Sequence, residues 1–376
     1  MHRPLRHRRR CSLLEITLNR KGLPHGPDKL RPMKSDIASL FRSVSIAAAG
    51  LALFLTGCGG SANVPPRTSI GPIPAGLITE FAKGISAHAT PFHIAKGPDR
   101  NLWFTEPDVN SIGRITPSGS VTEFGAGITP NAFPLDISAG PDGNLWFTDP
   151  GDNSIGRITP SGTITEFSAG IATQAGLNDI AAGSDGNLWF TEIENNSVGR
   201  ITPSGAVTEF TTGISAGAHP YGITSGPDGN LWFTEPGIGR IARITPSGSV
   251  TEFTIGKSVG NAPVAIAAGP DGNLWFTEPS AGRIGRITPS GVVTEFTTGI
   301  TPQAGLGEIA SGPDGNLWFT EVYADKIARI TPSGVVSEFS YTLPDGARPL
   351  GIAPGPDGNM WFTLPGVAEI GNITTQ

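Results

Sequence analysis

Four residues that can ligate a metal ion or transfer protons recur at one position of a repeated segment. His93, Asp136, Asp179 and Glu308 each stand immediately before an isoleucine, at spacings that are multiples of 43 residues. Imidazole and carboxylate groups bind divalent cations and are the usual general acids and bases of enzymes. Nothing in the sequence requires a cofactor, but Mg²⁺ or another divalent cation is the one that these residues suggest.

A second group of polar and aromatic residues precedes the same isoleucines at even spacings. They are Phe92, Asn178 and Tyr221 two positions before it, and Phe133, His219 and Arg348 four positions before it. Residues at even spacings share one side of an extended chain, so we expect these six on one surface and His93 and its equivalents on the other. An apolar wall with a few polar groups is the usual form of a small-molecule site.

The tryptophans identify the elements that position these residues. All seven lie 43 residues apart, at positions 103, 146, 189, 232, 275, 318 and 361. Around each stands a near-copy of G-P-D-G-N-L-W-F-T-E, then I-G-R-I-T-P-S-G, then V-T-E-F. A period of this length with several short apolar runs is typical of a β-propeller. Seven such units fill residues 76–376 without insertion or deletion.

Each unit predicts four strands joined by tight turns. In the second unit they lie near 135–139, 144–148, 155–159 and 164–167. Gly-Pro-Asp-Gly and Thr-Pro-Ser-Gly supply the fixed proline φ and the glycine that tight turns need. Leu-Trp-Phe is apolar at consecutive positions, as in a strand buried on both faces. The fold class is therefore all-β, a seven-bladed propeller of four-stranded antiparallel blades, with the tryptophans between blades.

The two ends of the repeat region predict how the ring closes. Ile78–Phe81 reads as a fourth strand with no first three before it, and 370–374 as a third strand with no fourth after it. We expect the N-terminal strand to complete the last blade, since an open ring would expose two strand edges.

The same repeat gives the positions of the charged residues, and one of these positions differs between blades 1–3 and blades 4–6. Glutamates of the V-T-E-F strands and arginines of the I-G-R-I strands are expected to lie within reach of each other as weak surface pairs. Blades 4–6 carry Arg240, Arg283 and Lys326 where blades 1–3 carry Ser111, Ser154 and Ser197. This difference is either drift on a solvated face or a polarised binding face. The longer loops share one face of the disc, where we expect the second residue group at the mouth of the channel.

The N-terminal 75 residues predict export. Lys34 and Arg42 precede an apolar run, 46–55, and Leu55-Thr56-Gly57-Cys58 resembles the bacterial lipobox, whose cysteine is lipidated. Residues 33–57 are then a lipoprotein signal peptide and 58–75 a flexible tether. Residues 1–32 are an over-extended start or a non-structural basic leader. The expected location is the bacterial cell envelope, on its periplasmic or extracellular face.

Charge and cysteine content limit the partners. The residues after Gly57 carry 15 Lys and Arg against 29 Asp and Glu, a net charge of −14, which argues against nucleic acid. Cys11 and Cys58 are the only cysteines, so the propeller has no disulfide. We expect a monomer that meets the membrane through its lipid anchor alone.

The G-P-D-G-N-L-W-F-T-E, I-G-R-I-T-P-S-G and V-T-E-F segments resemble the repeat of the virginiamycin B lyase family across residues 77–376. More distantly the chain is similar to NHL-repeat and gluconolactonase-type propellers. The closer resemblance implies a seven-bladed enzyme that uses magnesium and a histidine base to open a depsipeptide lactone by elimination.

The catalytic residues that this resemblance implies are not present at the matching positions. The family's sixth repeat has Pro-His where this chain has Leu306-Gly307, and its seventh has Glu-Pro-His where this chain has Arg348-Pro349-Leu350. A further acidic metal ligand of the family corresponds to Leu364-Pro365.

The expected function is therefore a non-catalytic binding or interaction module of the cell envelope. Its ligand, a small molecule, a glycan or a protein, would bind on the loop face around the channel. The alternative is a metal-dependent lyase or hydrolase with a relocated active site, built from His93 or His219 with Asp136, Asp179 and Glu308. An ordinary streptogramin lyase and a purely structural envelope protein also remain. The first two are separated by whether either histidine lies close to two carboxylates.

Overall fold

The computed structural model describes residues 75–256, 262–339 and 343–376. Cys58 and the segments predicted before residue 75 lie outside these ranges. In chain order, the strands are β1 (Ile78–Phe81), β2 (Ile94–Lys96), β3 (Leu102–Glu106), β4 (Ser111–Ile115), β5 (Val121–Phe124), β6 (Ile137–Ala139), β7 (Leu145–Asp149), β8 (Ser154–Ile158), β9 (Ile164–Phe167), β10 (Leu177–Ala182), β11 (Leu188–Glu192), β12 (Ser197–Ile201), β13 (Val207–Phe210), β14 (Ile223–Ser225), β15 (Leu231–Glu235), β16 (Arg240–Ile244), β17 (Val250–Thr254), β18 (Ile266–Ala268), β19 (Leu274–Glu278), β20 (Arg283–Ile287), β21 (Val293–Phe296), β22 (Leu306–Ser311), β23 (Leu317–Glu321), β24 (Lys326–Ile330), β25 (Val336–Phe339), β26 (Ile352–Pro354), β27 (Met360–Leu364) and β28 (Glu369–Ile373).

Short 3-10 helices follow two of these strands, at Pro107–Val109 and Pro279–Ala281. Within the described ranges, no helix has the length and apolar character needed to cross a membrane.

The strands form seven antiparallel sheets of four strands each. Blades 1 to 6 are β2–β5, β6–β9, β10–β13, β14–β17, β18–β21 and β22–β25, and blade 7 is β26–β28 with β1. The first strand of each blade contacts the first strand of the next, from β2 round to β26 and back to β2. The predicted seven-bladed propeller is confirmed.

The ring closes through β1. This strand pairs antiparallel with β28, with Ile78 opposite Ile373 and Phe81 opposite Ile370. The amide of Gly76 donates to the Thr374 carbonyl at 2.8 Å. Phe81 stacks on Trp361 of the same blade, with ring centroids 5.2 Å apart. The N-terminal strand therefore completes blade 7, as predicted.

Every blade packs on the next through its tryptophan. Trp103 has no exposed surface, stacks on Phe124 of its own blade at 5.4 Å, and shares a core cluster with Leu145 and Phe147 of blade 2. Its indole N–H donates to Asp99 of the Gly-Pro-Asp turn at 3.0 Å, and the same bond recurs in all seven blades. Burial between blades is thus the role of these tryptophans.

The expected surface pairs between the repeated arginines and glutamates are wrong. Arg114 lies over the Trp103 ring and donates to the Pro160 carbonyl of the next blade at 3.0 Å. The strand register explains the difference, because Arg114 is opposite Thr122 whereas Glu123 is opposite Gly113. Adjacent residues of a strand point to opposite faces, so arginine and glutamate are on different sides of the sheet.

Deleting residues 76–82 tests the closure. The deletion removes β1 and exposes β28, so we expect a loss of about 3 kcal/mol or more, since removing a packed aromatic residue alone costs about that much. At roughly 2–4 °C per kcal/mol, the melting temperature measured by tryptophan fluorescence should fall by about 10 °C. A control deletion of residues 60–72 should leave it unchanged. Equal melting temperatures for the two deletions would contradict the closure.

Candidate functional site

Buried threonines fix the residues that precede each first strand. The Oγ1 of Thr105 accepts a hydrogen bond from the His93 amide at 3.1 Å and donates to the Leu135 carbonyl of the next blade at 2.8 Å. Thr148 makes the same two contacts, with the Asp136 amide at 3.1 Å and the Asn178 carbonyl at 2.6 Å. Each of these two threonines thereby joins two blades next to a candidate site residue.

The four candidate metal or acid–base residues converge inside the ring. The Nδ1 of His93 is 3.0 Å from Asp136 Oδ1 and 3.8 Å from Glu308 Oε1, and the carboxyl groups of Asp136 and Asp179 share a hydrogen bond. These residues come from blades 1, 2, 3 and 6. Because blade 7 separates blades 6 and 1, the contact between His93 and Glu308 lies across the central channel. We call these four residues the channel cluster.

Burial raises the pKa of every carboxyl group in the channel cluster. The pKa of Asp136 rises to about 6 and that of Glu308 to about 7. The pKa of Asp179 lies well above its ordinary value, because of burial first and then the neighbouring Asp136. The hydrogen bond between the two aspartates raises the pKa of Asp179 and lowers that of Asp136. The two aspartates therefore favour a state in which they share a proton.

Backbone amides of the following blade fix the two aspartates. Oδ2 of Asp136 accepts from the Ile180 amide at 2.8 Å, and Oδ2 of Asp179 accepts from the Ile223 amide at 2.8 Å. Burial, followed by the charges of Glu308 and Asp179, raises the pKa of Tyr221 to about 12. Tyr221 is therefore a neutral phenol at pH 7, and it lies close enough to the channel cluster to be affected by its charges.

Two β-bulges place the acidic residues of blades 3 and 6. The pairing of β10 shifts between Leu177 and Ile180, and that of β22 between Leu306 and Ile309. A bulge re-aims the side chains of its extra residues, here Asp179 and Glu308. Only these two blades contain Gln-Ala-Gly-Leu, at 174–177 and 303–306. This segment is the signal in the sequence from which both bulges could have been predicted.

The residues two positions before the isoleucine lie beside the channel cluster, not on the opposite surface. The rings of Phe92 and His93 are 5.1 Å apart, and the buried Asn178 donates from Nδ2 to the Tyr221 carbonyl at 3.0 Å. In blade 1 the first strand begins only at the isoleucine, and in blade 3 the pairing of β10 shifts between Leu177 and Ile180. The strict alternation assumed from the sequence therefore does not extend to the residues before it.

Hydrogen bonds of the backbone or the side chain fix three of the residues four positions before the isoleucine. The Phe133 amide donates to Asp149 at 2.8 Å, and the Arg348 amide donates to Asp325 at 2.7 Å. His219 is exposed, and its Nδ1 lies 3.1 Å from the Ile193 carbonyl of blade 3. Of the two histidines considered, His93 is the one that the structure places beside two carboxylates.

The three basic residues of blades 4–6 do not form a polarised binding face. Arg240 and Lys326 pair with Glu252 and Glu338 of their own blades. Arg283 lies 3.0 Å from Glu278 and 3.1 Å from Glu295. These cations compensate carboxylates within the blades, which leaves the channel cluster with three carboxyl groups and one imidazole.

The residues present do not fit a preformed magnesium centre. Mg²⁺ prefers several oxygen ligands in near-octahedral geometry, and Gly307, Leu350 and Leu364 have no side-chain oxygen. Among the described residues, no group of three or more His, Cys, Asp or Glu side chains is arranged to hold a metal ion. In the channel cluster the oxygens of Asp136 are already used by His93, Asp179 and the Ile180 amide.

Comparisons with known proteins give a consistent family. The model of the virginiamycin B lyase family matches residues 67–214 and 173–376. A solved streptogramin B lyase is 34% identical over 80% of this chain and 98% of its own, with a TM-score of 0.74. The selenomethionine-substituted virginiamycin B lyase from Staphylococcus aureus is 36% identical over 79% and 99%, with a TM-score of 0.73. No curated protein sequence matched the chain.

A third solved structure is a catalytically inactive histidine-to-alanine variant of the Staphylococcus aureus enzyme with quinupristin. It is 35% identical to this chain over 79% of it and 99% of its own length, with a TM-score of 0.72.

The raised pKa of Asp136 predicts how stability depends on pH. Since the folded pKa is about 6 against 3.8 for the ordinary group, its favourable contribution is complete below pH 3.8 and is lost as the pH rises through 6. Asp136→Asn removes this term and keeps an acceptor for the Ile180 amide. Between pH 4 and pH 7 the free energy of chemical unfolding should fall by up to about 3 kcal/mol more in the wild type than in this variant, at about 1.4 kcal/mol per pKa unit. The exposed control Glu194→Gln should keep the wild-type profile; an unchanged profile for Asp136→Asn would contradict the assignment.

Proposed function

This chain belongs to the virginiamycin B lyase family, and on that premise we propose that it is an envelope-anchored propeller that binds a small organic cation in its central channel. The observation that carries this proposal is the excess of acid in the channel cluster, where three carboxyl groups meet a single imidazole. We expect the ligand to enter from the loop face, where the repeat places the longer, variable loops.

The electrostatics of the channel cluster favour a positively charged ligand. Burial raises the pKa of its carboxyl groups because their ionised forms have too little compensating charge. A bound ammonium or guanidinium group would supply that charge, so the carboxyl groups would release protons on binding. The aromatic rings of Phe92 and Tyr221 add faces that attract cations by about 0.5–2 kcal/mol each.

A second candidate is a lyase or hydrolase with a relocated active site. The separation of 3.0 Å between His93 Nδ1 and Asp136 Oδ1 favours it, since a carboxylate that orients an imidazole is the usual arrangement of a general base. Asp136 is itself fixed by the Ile180 amide. In such an enzyme, His93 would remove a proton from a substrate through its other ring nitrogen. We derive no step through a metal, because the residues present do not fit one.

Calorimetry distinguishes the two candidates. We expect a panel of organic ammonium and guanidinium compounds, measured in buffers of different ionisation enthalpy at pH 7, to contain ligands that bind with proton release. Glu308→Gln should weaken them at least about tenfold, because it removes one carboxylate of the site, and the exposed control Glu194→Gln should not.

Two results would contradict cation binding. One is a panel in which only neutral or anionic compounds bind. The other is opening of a type B streptogramin or another lactone by the purified protein, lost in His93→Ala, which would establish the second candidate in its place.

We also propose that Cys58 carries the lipid anchor, on the basis of the Leu55-Thr56-Gly57-Cys58 segment. Cys58→Ser should abolish labelling by a fatty-acid probe and move the protein from the membrane to the soluble fraction, without changing the melting temperature of the propeller. Cys11→Ser is the matched control and should keep both label and location. Wild-type protein recovered unlabelled with residues 1–57 attached would contradict the proposal.

A further inference from the structure

In six blades, outside the channel cluster, a buried carboxyl group lies near a partly exposed glutamate. The inner acid ends the second strand and the outer glutamate lies on the fourth; the pairs are Glu106 with Glu123, Asp149 with Glu166, Glu192 with Glu209, Glu235 with Glu252, Glu278 with Glu295, and Glu321 with Glu338. All six inner acids have no exposed surface. In the part of the chain that the structure describes, neither carboxylate oxygen of Glu106 has a hydrogen-bond partner.

The outer glutamate holds the loop that enters its blade. Glu123 accepts from both the amide and the hydroxyl of Ser86 at 2.5 Å, and Glu166 accepts from the Thr129 amide at 2.9 Å. Glu209 accepts from the Ala172 amide at 2.6 Å. These three loops lead directly to His93, Asp136 and Asp179, so the acid pairs anchor the segments that carry the channel cluster.

Blades 4–6 compensate the pair with a side-chain cation. Arg283 bridges both carboxylates of blade 5, and Arg240 and Lys326 each pair with the outer glutamate. Blades 1–3 have Ser111, Ser154 and Ser197 at this position. Two adjacent carboxylates, one of them buried, are unfavourable when both are ionised without a compensating charge. Backbone amides donate to Asp149 and Ser197 donates to Glu192, but none of these donors carries a positive charge.

We propose that the acid pairs of blades 1–3 each bind a proton that keeps the entering loop closed, and that loss of the proton releases the loops that carry His93, Asp136 and Asp179. Blades 4–6 stay closed because Arg240, Arg283 and Lys326 hold their outer glutamates. Burial also raises the pKa of Glu235 to about 8 and that of Glu321 to about 7, but in these blades the cation stays beside the outer glutamate when the inner acid ionises. The loops of blades 1–3 therefore respond to pH and those of blades 4–6 do not. This inference does not depend on what the channel binds.

The groups that face Glu106 are consistent with this. They are Glu123 from β5, Ser111 from β4 and, through Glu123, Ser86 from the entering loop. Burial first, and then Glu123, raises the pKa of Glu106 to about 8. Because the folded pKa is the higher one, the contact is complete at acidic pH and is lost as the pH rises through about 8. In blade 5, burial raises the pKa of Glu278, and Arg283 opposes the rise.

Hydrogen–deuterium exchange of the full chain from pH 6 to 9.5, corrected for intrinsic exchange rates, tests the proposal. Protection of residues 84–92 should fall about tenfold per pH unit above 8, as the ionised fraction grows. Glu106→Gln, which mimics the protonated acid, and Ser111→Arg, which grafts the cation of blade 5, should each make protection independent of pH. The loop at residues 212–221 of blade 4 is the internal control and should not respond until Arg240→Ser is introduced.

Three outcomes would overturn the proposal. The first is constant protection of residues 84–92 across this range in the wild type, and the second is an unchanged pH response in Glu106→Gln. The third is restored protection at pH 9.5 on addition of 1 mM Ca²⁺ or Mg²⁺ (about the affinity range of weak extracellular sites), which would make a metal ion the compensating charge. If Ser111→Arg does not fold, Glu106→Gln and the blade 4 loop still decide.

Discussion

The burial of the tryptophan strand on both faces is the constraint on which the rest of the structure depends. In blades 1–6 the second strand reads L-W-F-T followed by an acid, and all five of its residues are buried. The apolar residues provide the hydrophobic free energy that stacks one blade on the next. The threonine and the acid are buried with them, and each buried polar group must then find a partner.

The two polar residues of this strand meet that requirement in different ways. The threonine hydroxyl both accepts and donates, so Thr105 and its equivalents join the first strands of adjacent blades. In blades 1–3 the acid has no side-chain cation beside it. Among the described residues Glu106 has no hydrogen-bond partner, Asp149 accepts from two backbone amides, and Glu192 accepts from the serine of β12. In each of these blades the acid also approaches the outer glutamate. One stretch of sequence therefore sets the spacing of the channel residues and also creates the acid pairs that anchor the loops before them.

The channel cluster also consists of buried polar groups that need partners, but its carboxyl groups outnumber the partners present. His93 and Asp136 are close enough for an ion pair, and the additional carboxyl groups of Asp179 and Glu308 exceed what one imidazole can compensate. The ring tolerates such an imbalance because the tryptophans that stack one blade on the next lie on the second strands, outside the channel cluster. The imbalance has a cost that depends on pH, because the raised pKa of Asp136 links ionisation of the cluster to the stability of the fold.

The spacing of seven tryptophans was enough to predict the blades, their four strands and the closure by Ile78–Phe81, because these follow from periodicity and from unpaired ends. The contact of His93 with two carboxylates could not be predicted, because it depends on bulges in β10 and β22 and on residues of blades that are far apart in sequence. The pairing of Arg283 with Glu278 and Glu295 was missed for a related reason. A repeat gives the position of a residue within a blade, but its partner depends on strand register and on charge compensation inside the sheet.

The most direct measurement of the central claim is infrared difference spectroscopy of the carboxyl groups at pH 7. We expect the wild-type protein to show the carbonyl stretch of protonated carboxylic acids, and we expect Asp179→Asn to remove part of this band. A wild-type spectrum containing only ionised carboxylates, identical to that of Asp179→Asn, would contradict the claim that the channel holds carboxyl groups protonated for lack of a cation.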